Sequence, residues 1–341
     1  MQTFYGIQAL RAVAALGVVV FHAAPRGQAS FALGMAGVDI FFVISGFIMW
    51  TITRRGTTPA AFMVDRVYRI VPLYWLATLV LALGTLLSLF PRMHVSASAL
   101  VTSLFFIPHL SESVPGEIYP ILAQGWTLNY EMFFYLIFAG FLLFSRTVQG
   151  IGLIGVLSSL VVLGVALSPD NDQFRFWTNS IVLEFAYGVA IGWCVSAGCL
   201  RGRALGLALI AGAVAGFAAV GVLGWSAPRA LVFGLPSLLL VAGVVALELG
   251  GATLAFRPLT VIGDASYSIY LFHTFAISVA FKLFGGLSGA AAIAFAIAAS
   301  IAAGVAVHLA VERPLARLKP RKARAPAAGA TPPQPVGAER S

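Results

Sequence analysis

The segment IQALRAVAALGVVVFHAA, from Ile7 to Ala24, decides the fold class of this chain. Its apolar length suits a helix that crosses a membrane, which needs about 20 mostly apolar residues. Arg11 and His22 interrupt it, and ionisable side chains inside a membrane helix are costly and usually functional. Their spacing corresponds to about three helical turns, so both side chains should lie on one face, about 16 Å apart. We therefore expect a cation near one leaflet and a titratable base near the other.

The same apolar character continues along the chain. Hydrophobic residues make up 60% of the 341 residues and charged residues only 10%, which excludes an ordinary soluble domain and a protein with a single membrane anchor. Apolar runs of about 20 residues recur. The sequence thus predicts an all-α polytopic integral membrane protein with about ten transmembrane helices. The expected spans are 7–24, 34–52, 69–90, 126–145, 150–167, 178–197, 204–224, 230–249, 261–283 and 289–311.

Residues 97–109 are too short to span a membrane and end near Pro108, so we expect a re-entrant or interfacial helix there. The first span is interpreted as an uncleaved helix rather than a signal peptide, because Arg11 and His22 interrupt it. Ten spans divide the chain into a transmembrane domain, 1–314, and a basic Pro/Ala-rich tail, 315–341, which is predicted to be disordered in the cytoplasm.

The basic residues predict the orientation. Most of the 21 lysines and arginines fall in the loops and tail on the side of the two termini. By the positive-inside rule, both termini should be cytoplasmic. The net charge of +9 is explained by this topology, and we expect no nucleic-acid partner.

His22, near the outer end of the first helix, and Asp39, near the outer start of the second, should share one depth in the membrane. A carboxylate that accepts from one imidazole nitrogen fixes the tautomer and leaves the other nitrogen free as a base. The alternative interpretation is a satisfied polar pair that packs two helices together.

Arg66 and Arg69, in DRVYRIVPLYW before the third span, should share a helical face. Planar guanidinium groups suit phosphate recognition, and Arg11 enters the membrane from the same side. The three arginines could converge on a polyanionic cytosolic ligand. The alternative is ordinary anchoring by positive charge at the inner surface.

Trp126 and Tyr130, in QGWTLNYEMFFYL, should stack on one face of the fourth span, with Glu131 just inside it. Aromatic rings beside a carboxylate suit sugar binding. Rings at this depth are also typical of a membrane-interface belt. The carboxylate is harder to explain that way, because it would cost several kcal/mol unless it is paired or protonated.

The remaining intramembrane polar residues carry weaker predictions. His273, in GDASYSIYLFHTF, could bind a ligand or could be a structural histidine in a helix–helix seam. Glu312, which follows His308 in the chain, could pair with the cytoplasmic arginines or serve a function of its own. Glu184 has no evident role, and no cluster of metal ligands is visible.

Together these segments resemble the membrane-bound acyltransferase-3 family. The resemblance rests on IQALRAVAALGVVVFHA, GVDIFFVISGF, DRVYRIVPLYW, GWTLNYEMFFYL, GDASYSIYLFH and the closing VERP, in family order from residue 7 to residue 314. The sequences of these segments are most similar to the exopolysaccharide, succinoglycan-type O-acetyltransferase branch. The family normally has Trp-Ser-Leu-x-x-Glu at the fourth span, where this chain has Thr127 in place of the serine.

The resemblance implies transfer of an acetyl or other short acyl group from acyl-CoA to a sugar hydroxyl of an envelope glycan. It implies an essential His22 and a role for Arg11, Arg66 and Arg69 in the use of acyl-CoA. From the residues themselves we predict Asp39, which would orient His22, and Glu131 as further catalytic residues. Trp126, Tyr130 and His273 are the predicted acceptor-binding residues.

The expected partners are acyl-CoA, a glycan or lipid-linked sugar and membrane lipid, in a multi-pass protein of the bacterial inner membrane. No permanently bound cofactor and no metal are expected. The alternative from intramembrane charges alone is a proton-coupled transporter or flippase of a glycan or small solute.

Overall fold

The computed structural model describes residues 4–53, 56–90, 93–224, 227–284, 286 and 289–318, and within these ranges the chain forms helices and no strand. The helices are α1 Tyr5–Ala23, α2 Ala36–Ile52, α3 Pro59–Leu86, α4 Ala97–Leu104, α5 Trp126–Phe141, α6 Arg146–Leu167, α7 Asp172–Trp177, α8 Leu183–Ser196, α9 Arg203–Leu223, α10 Leu235–Leu249, α11 Arg257–Asp264, α12 Ser266–Phe284, α13 Gly289–Val307 and α14 Arg313–Arg317. Two π-helical stretches, Ala230–Gly234 and His308–Glu312, precede α10 and join α13 to α14.

The prediction of an all-α polytopic membrane protein is confirmed. Nine helical segments in the described ranges are long and apolar enough to cross a membrane. The expected tenth, 126–145, is the difference: α5 has 16 residues and ends at Phe141. The short helix expected at 97–109 is α4, which has eight residues.

Two helix ends differ from the expected positions. Helix α3 begins at Pro59, ten residues before the expected start, because proline suits the first turn and the Thr58 side chain accepts from the Ala61 amide. Arg66 and Arg69 therefore lie inside α3 rather than before it. At the other end, residues 315–317 of the predicted tail are helical, and the tail beyond residue 318 lies outside the described residues.

Helix α2 is the most enclosed of the long helices. Thirteen of its 17 residues are buried, and it packs against α1, α8 and α10. Helices α6 and α9 lie at the periphery, where only 17% and 11% of their apolar windows are buried inside the protein. Asp39 and Ser45 of α2 are therefore buried among other helices of the bundle.

Helices α2 and α8 are in close backbone contact at Gly46 and Gly188. A Cβ atom on Gly188 would collide with the backbone oxygen of Val43 and the backbone nitrogen of Phe47. Small residues at such crossings let membrane helices approach closely.

We expect Gly188→Val to destabilise the protein by about 1–3 kcal/mol, because backbone atoms cannot move aside without separating the helices. The measurement is thermal stability in detergent. Gly140→Val is the matched control, since a Cβ atom there meets nothing within 4 Å. Equal stability of the two variants would contradict the packing assigned to this crossing.

Candidate active site

A cavity of about 720 Å³ runs inside the bundle, lined by residues of α1, α2, α3, α5, α11, α12 and the α13–α14 region. Along α2 its lining extends from Val38 to Ile52. At 1.5 Å per helical residue this is roughly 21 Å, most of the thickness of a membrane core. A long, narrow ligand could therefore reach from one face of the protein deep into the bundle.

One end of the cavity is strongly basic. It lies beside the second turn of α1 and the start of α14. Both positions are close to the ends of the described chain. Four guanidinium groups line the cavity, those of Arg11, Arg66, Arg69 and Arg313. The structure thus brings the three sequence-predicted arginines together. Arg313 was not predicted, although it directly follows Glu312 in the VERP motif.

Arg11 and Arg66 form no ion pair with any carboxylate of the described residues. Arg11 donates to Gln8 Oε1 over 3.1 Å. The guanidinium of Arg66 lies 5.8 and 5.9 Å from the ring centres of Phe62 and Tyr135, and its Nε is buried without a hydrogen-bond partner. Since a buried guanidinium group needs acceptors, these two side chains are available to an anionic ligand.

Glu312 organises the other side of the basic end. Its Oε1 lies 2.7 Å from Arg69 Nη1, and its Oε2 accepts from Ser268 Oγ over 2.6 Å and contacts His308 Nδ1 at 2.8 Å. The predicted pairing of Glu312 with one of the arginines is confirmed, and the partner is Arg69. One carboxylate therefore joins α3, α12 and the π-helical stretch His308–Glu312, a type of segment that is frequent at functional sites.

Glu131 lies on the cavity wall, midway along the bundle. Its Oε1 accepts hydrogen bonds from Ser45 Oγ, over 3.1 Å, and from the Tyr135 hydroxyl. The prediction that this carboxylate must be partnered is confirmed, and the partners are hydroxyl groups rather than a cation. Arg11 is within electrostatic range of it.

His22 and His273 form a pair beyond the far end of the cavity. His22 Nδ1 lies 3.3 Å from His273 Nε2, and the ring centres are 4.9 Å apart. His22 Nδ1 also contacts Val18 O at 2.9 Å, and His273 Nδ1 contacts Tyr270 O at 2.6 Å. Carbonyl oxygens only accept, so both Nδ1 atoms carry the proton. His22 Nε2 is then left with a free lone pair, as a general base or nucleophile requires.

The predicted contact between Asp39 and His22 is wrong. Both carboxylate oxygens of Asp39 accept from Arg229, over 2.9 and 2.8 Å, and Asp39 is fully buried. A bidentate pair with arginine is stronger than one hydrogen bond to an imidazole. His273 is the residue that contacts the His22 ring instead.

The predicted aromatic and carboxylate cluster on α5 is also not formed as expected. Trp126 and Tyr130 do contact each other, with ring centres 5.8 Å apart. Neither lines the cavity with Glu131, because a position five residues along a helix points to a different face. Tyr130 is buried and stacks on Phe176 at 3.9 Å, so this ring face is unavailable to a sugar.

Comparison with known proteins identifies the class. The acyltransferase domain family matches residues 4–309. The chain therefore belongs to this family and is a multi-pass membrane acyltransferase. This assignment favours group transfer over the transporter alternative.

Several relatives share most of this length. The chain is 44% identical over 302 residues to the exopolysaccharide production protein ExoZ of Rhizobium meliloti, covering 88% of this chain and 95% of that protein. It is 28% identical over 305 residues to BcsY of Komagataeibacter xylinus, named as a candidate membrane-bound transacylase, covering 83% and 76%. A candidate O-acetyltransferase of Staphylococcus aureus is 23% identical over 214 residues, 57% of this chain and 35% of that protein. No solved structure matches.

Proposed function

We propose that this protein transfers an acetyl or other short acyl group from acyl-CoA to a sugar hydroxyl of an exopolysaccharide or another envelope glycan, in the bacterial inner membrane. The observation that carries the proposal is the cavity, basic at one end and close to the His22–His273 pair at the other. The relative named for exopolysaccharide production supports the choice of a glycan acceptor.

Acyl-CoA fits the cavity by its chemistry. It has a polyanionic nucleotide end, a long uncharged arm and a thioester at the tip. In the proposal the phosphates bind Arg66 and Arg313, and Arg11 lies beside the arm as it passes into the bundle. The donor enters from the side of the two chain termini, which the positive-inside rule predicts to be cytoplasmic.

The free Nε2 of His22 is the proposed reactive atom. As a general base it takes the proton of the acceptor hydroxyl, and as a nucleophile it would carry the acyl group transiently. His22 is exposed, whereas His273 is completely buried. His273 is therefore better placed to fix the tautomer of His22 than to bind the sugar.

The acceptor is proposed to approach His22 from the side opposite to the basic end. Trp126, half-buried with its ring 5.8 Å from the guanidinium of Arg229, is kept as a proposed sugar contact on that side. Asp39 acts in this scheme through Arg229, as a structural partner rather than a catalytic one. Glu131 is a proposed partner for the polar groups of the donor arm.

The test of this proposal is transfer from labelled acetyl-CoA in membranes containing the protein, with free CoA thiol and O-acetyl groups on the host glycan measured together. Stoichiometric appearance of thiol and O-acetyl ester supports the proposal. Absence of thiol release above that of membranes lacking the protein would overturn the assignment of the donor.

Arg66→Gln should raise the KM for acyl-CoA about 10- to 100-fold, because a charge-assisted hydrogen bond to phosphate contributes about 1.5–3 kcal/mol. Steady-state kinetics at saturating acceptor check this. Arg203→Gln is the control, since Arg203 bonds the backbone oxygens of Gly250 and Gly251 and does not line the cavity. An unchanged KM for Arg66→Gln would exclude Arg66 from donor binding.

A further inference from the structure

Two hydroxyl groups lie where the cavity approaches the histidine pair. Thr127 and Tyr270 both line the cavity, and both are buried, with 5% and 7% of their surface exposed. Their hydroxyl oxygens are 3.0 Å apart. The ring of Tyr270 lies 5.9 Å from the ring of His273, which contacts His22. The tip of a ligand that fills the cavity this far would meet the two hydroxyls near the ring of His273, the partner of the proposed reactive histidine.

The two hydroxyl groups offer two protons, and the carbonyl oxygen beside them needs only one. Thr127 Oγ1 and Tyr270 Oη are each within hydrogen-bond distance of the same carbonyl oxygen, that of Gln124, at 3.1 and 3.0 Å, and of each other, where either hydroxyl can be the donor. Each hydroxyl has one proton, and one hydrogen bond is enough to satisfy this buried carbonyl. The other hydroxyl can rotate towards a ligand without leaving Gln124 O unpartnered.

Gln124 is itself held firmly. Its Nε2 donates to Leu271 O over 2.7 Å and to Thr274 Oγ1 over 3.0 Å. The carbonyl that anchors both hydroxyls is therefore fixed to α12, the helix that carries Tyr270 and His273. Since both hydroxyl oxygens are held in place, only an O–H bond has to turn to donate to a developing charge, which keeps the cost of reorganisation small.

We propose that the hydroxyls of Tyr270 and Thr127 form the oxyanion site of the acyl transfer. This inference rests on the proposed function. The acceptor oxygen attacks the thioester carbonyl carbon as its proton passes to His22 Nε2, and the π electrons move to the carbonyl oxygen, which accepts a hydrogen bond from the pair. When the intermediate collapses, the C–S bond breaks and the CoA thiolate takes the proton from His22. The same pair would serve attack by His22 itself, since that step forms the same oxyanion.

The test is a kinetic comparison of variants that remove one hydroxyl each. Tyr270→Phe and Thr127→Val should each lower kcat on the order of 10²-fold with little change in the KM for acyl-CoA, because a single hydroxyl cannot serve both the carbonyl and the oxyanion. Thr127→Ser keeps a hydroxyl and should retain most of the activity.

Tyr74→Phe separates this role from a structural one. Tyr74 is fully buried, donates to Ser103 O over 3.0 Å and does not line the cavity. This variant should lose thermal stability while the folded protein keeps its kcat. Tyr270→Phe should show the reverse, because Thr127 can still satisfy Gln124 O.

The outcomes separate the two proposals. If the wild type shows no acyl-CoA-dependent transfer, the proposed function and this inference are both overturned. If transfer is present and depends on His22, but Tyr270→Phe keeps the wild-type kcat, only the oxyanion site is overturned. A raised KM with unchanged kcat would also overturn it, because it would assign the hydroxyl to donor binding.

Discussion

His22→Ala is expected to lower the rate of acyl transfer about 10²- to 10⁴-fold, the range that a positioned general base contributes. The physical reason is the tautomer of His22, which leaves its Nε2 unprotonated. Val18 O and Tyr270 O hold a proton on Nδ1 of His22 and of His273, so the substitution removes the one basic nitrogen of the pair that has a free lone pair and lies on an exposed side chain. The measurement is O-acetyl content of the host polysaccharide by NMR, together with thiol release in membranes at equal protein level.

His22→Gln makes this test sharper. Glutamine still offers an N–H donor and a similar side-chain size, but it has no basic nitrogen, so it should be as inactive as alanine. His109→Ala is the matched control, because His109 is half-buried, its Nδ1 contacts Ile107 O and it does not line the cavity. Wild-type acetylation with His22→Gln would remove the catalytic assignment and leave a structural histidine.

Arg229→Met is expected to cause the largest loss of stability, about 3–5 kcal/mol, the cost typical of breaking a buried ion pair. Asp39 and Glu184 are both completely buried, and both interact electrostatically with Arg229. Without the guanidinium group, two neighbouring carboxyl groups would have no cation. Thermal denaturation in detergent measures the effect.

Asp39→Asn should be the milder change. Glu184 is buried beside Asp39 and interacts electrostatically with Arg229, so it is available to take over Arg229 when the Asp39 charge is removed. Asp172→Asn breaks a partly exposed pair with Arg175 and should cost only about 0–1 kcal/mol. If Asp39→Asn were as damaging as Arg229→Met, Glu184 would not be such a reserve partner.

The sequence predicts the helices of this protein better than their contacts. Spans of apolar residues are visible in one dimension, and the faces of α1 and α3 follow from helical spacing. The sequence predicts the end of α5 too late, because the apolar run continues to Phe144 while the helix ends at Phe141. Hydropathy does not distinguish a helix end from an apolar loop.

Partners far apart in the chain could not be predicted. His22 and His273 are 251 residues apart, and Asp39 and Arg229 are 190 apart. Which helix faces which depends on packing of small residues such as Gly46 against Gly188, since lipid and protein interiors are similarly apolar. The sequence therefore indicated the residues of the site, but it joined Asp39 to the wrong partner.

The ring of Tyr270 also bears on how well the membrane stays sealed. In the proposed scheme the protein receives one substrate from each side and is at risk of becoming a pore. A leak of protons or ions would dissipate the potential across the bilayer, worth about 2.3 kcal/mol per charge at 100 mV. Tyr270 and Phe41, with ring centres 6.1 Å apart, both line the cavity, whereas His22 and His273 do not. Rings packed at this point would keep bulk water on the two sides apart while an acyl group is passed on. Electrical insulation and catalysis thus depend on the same few atoms.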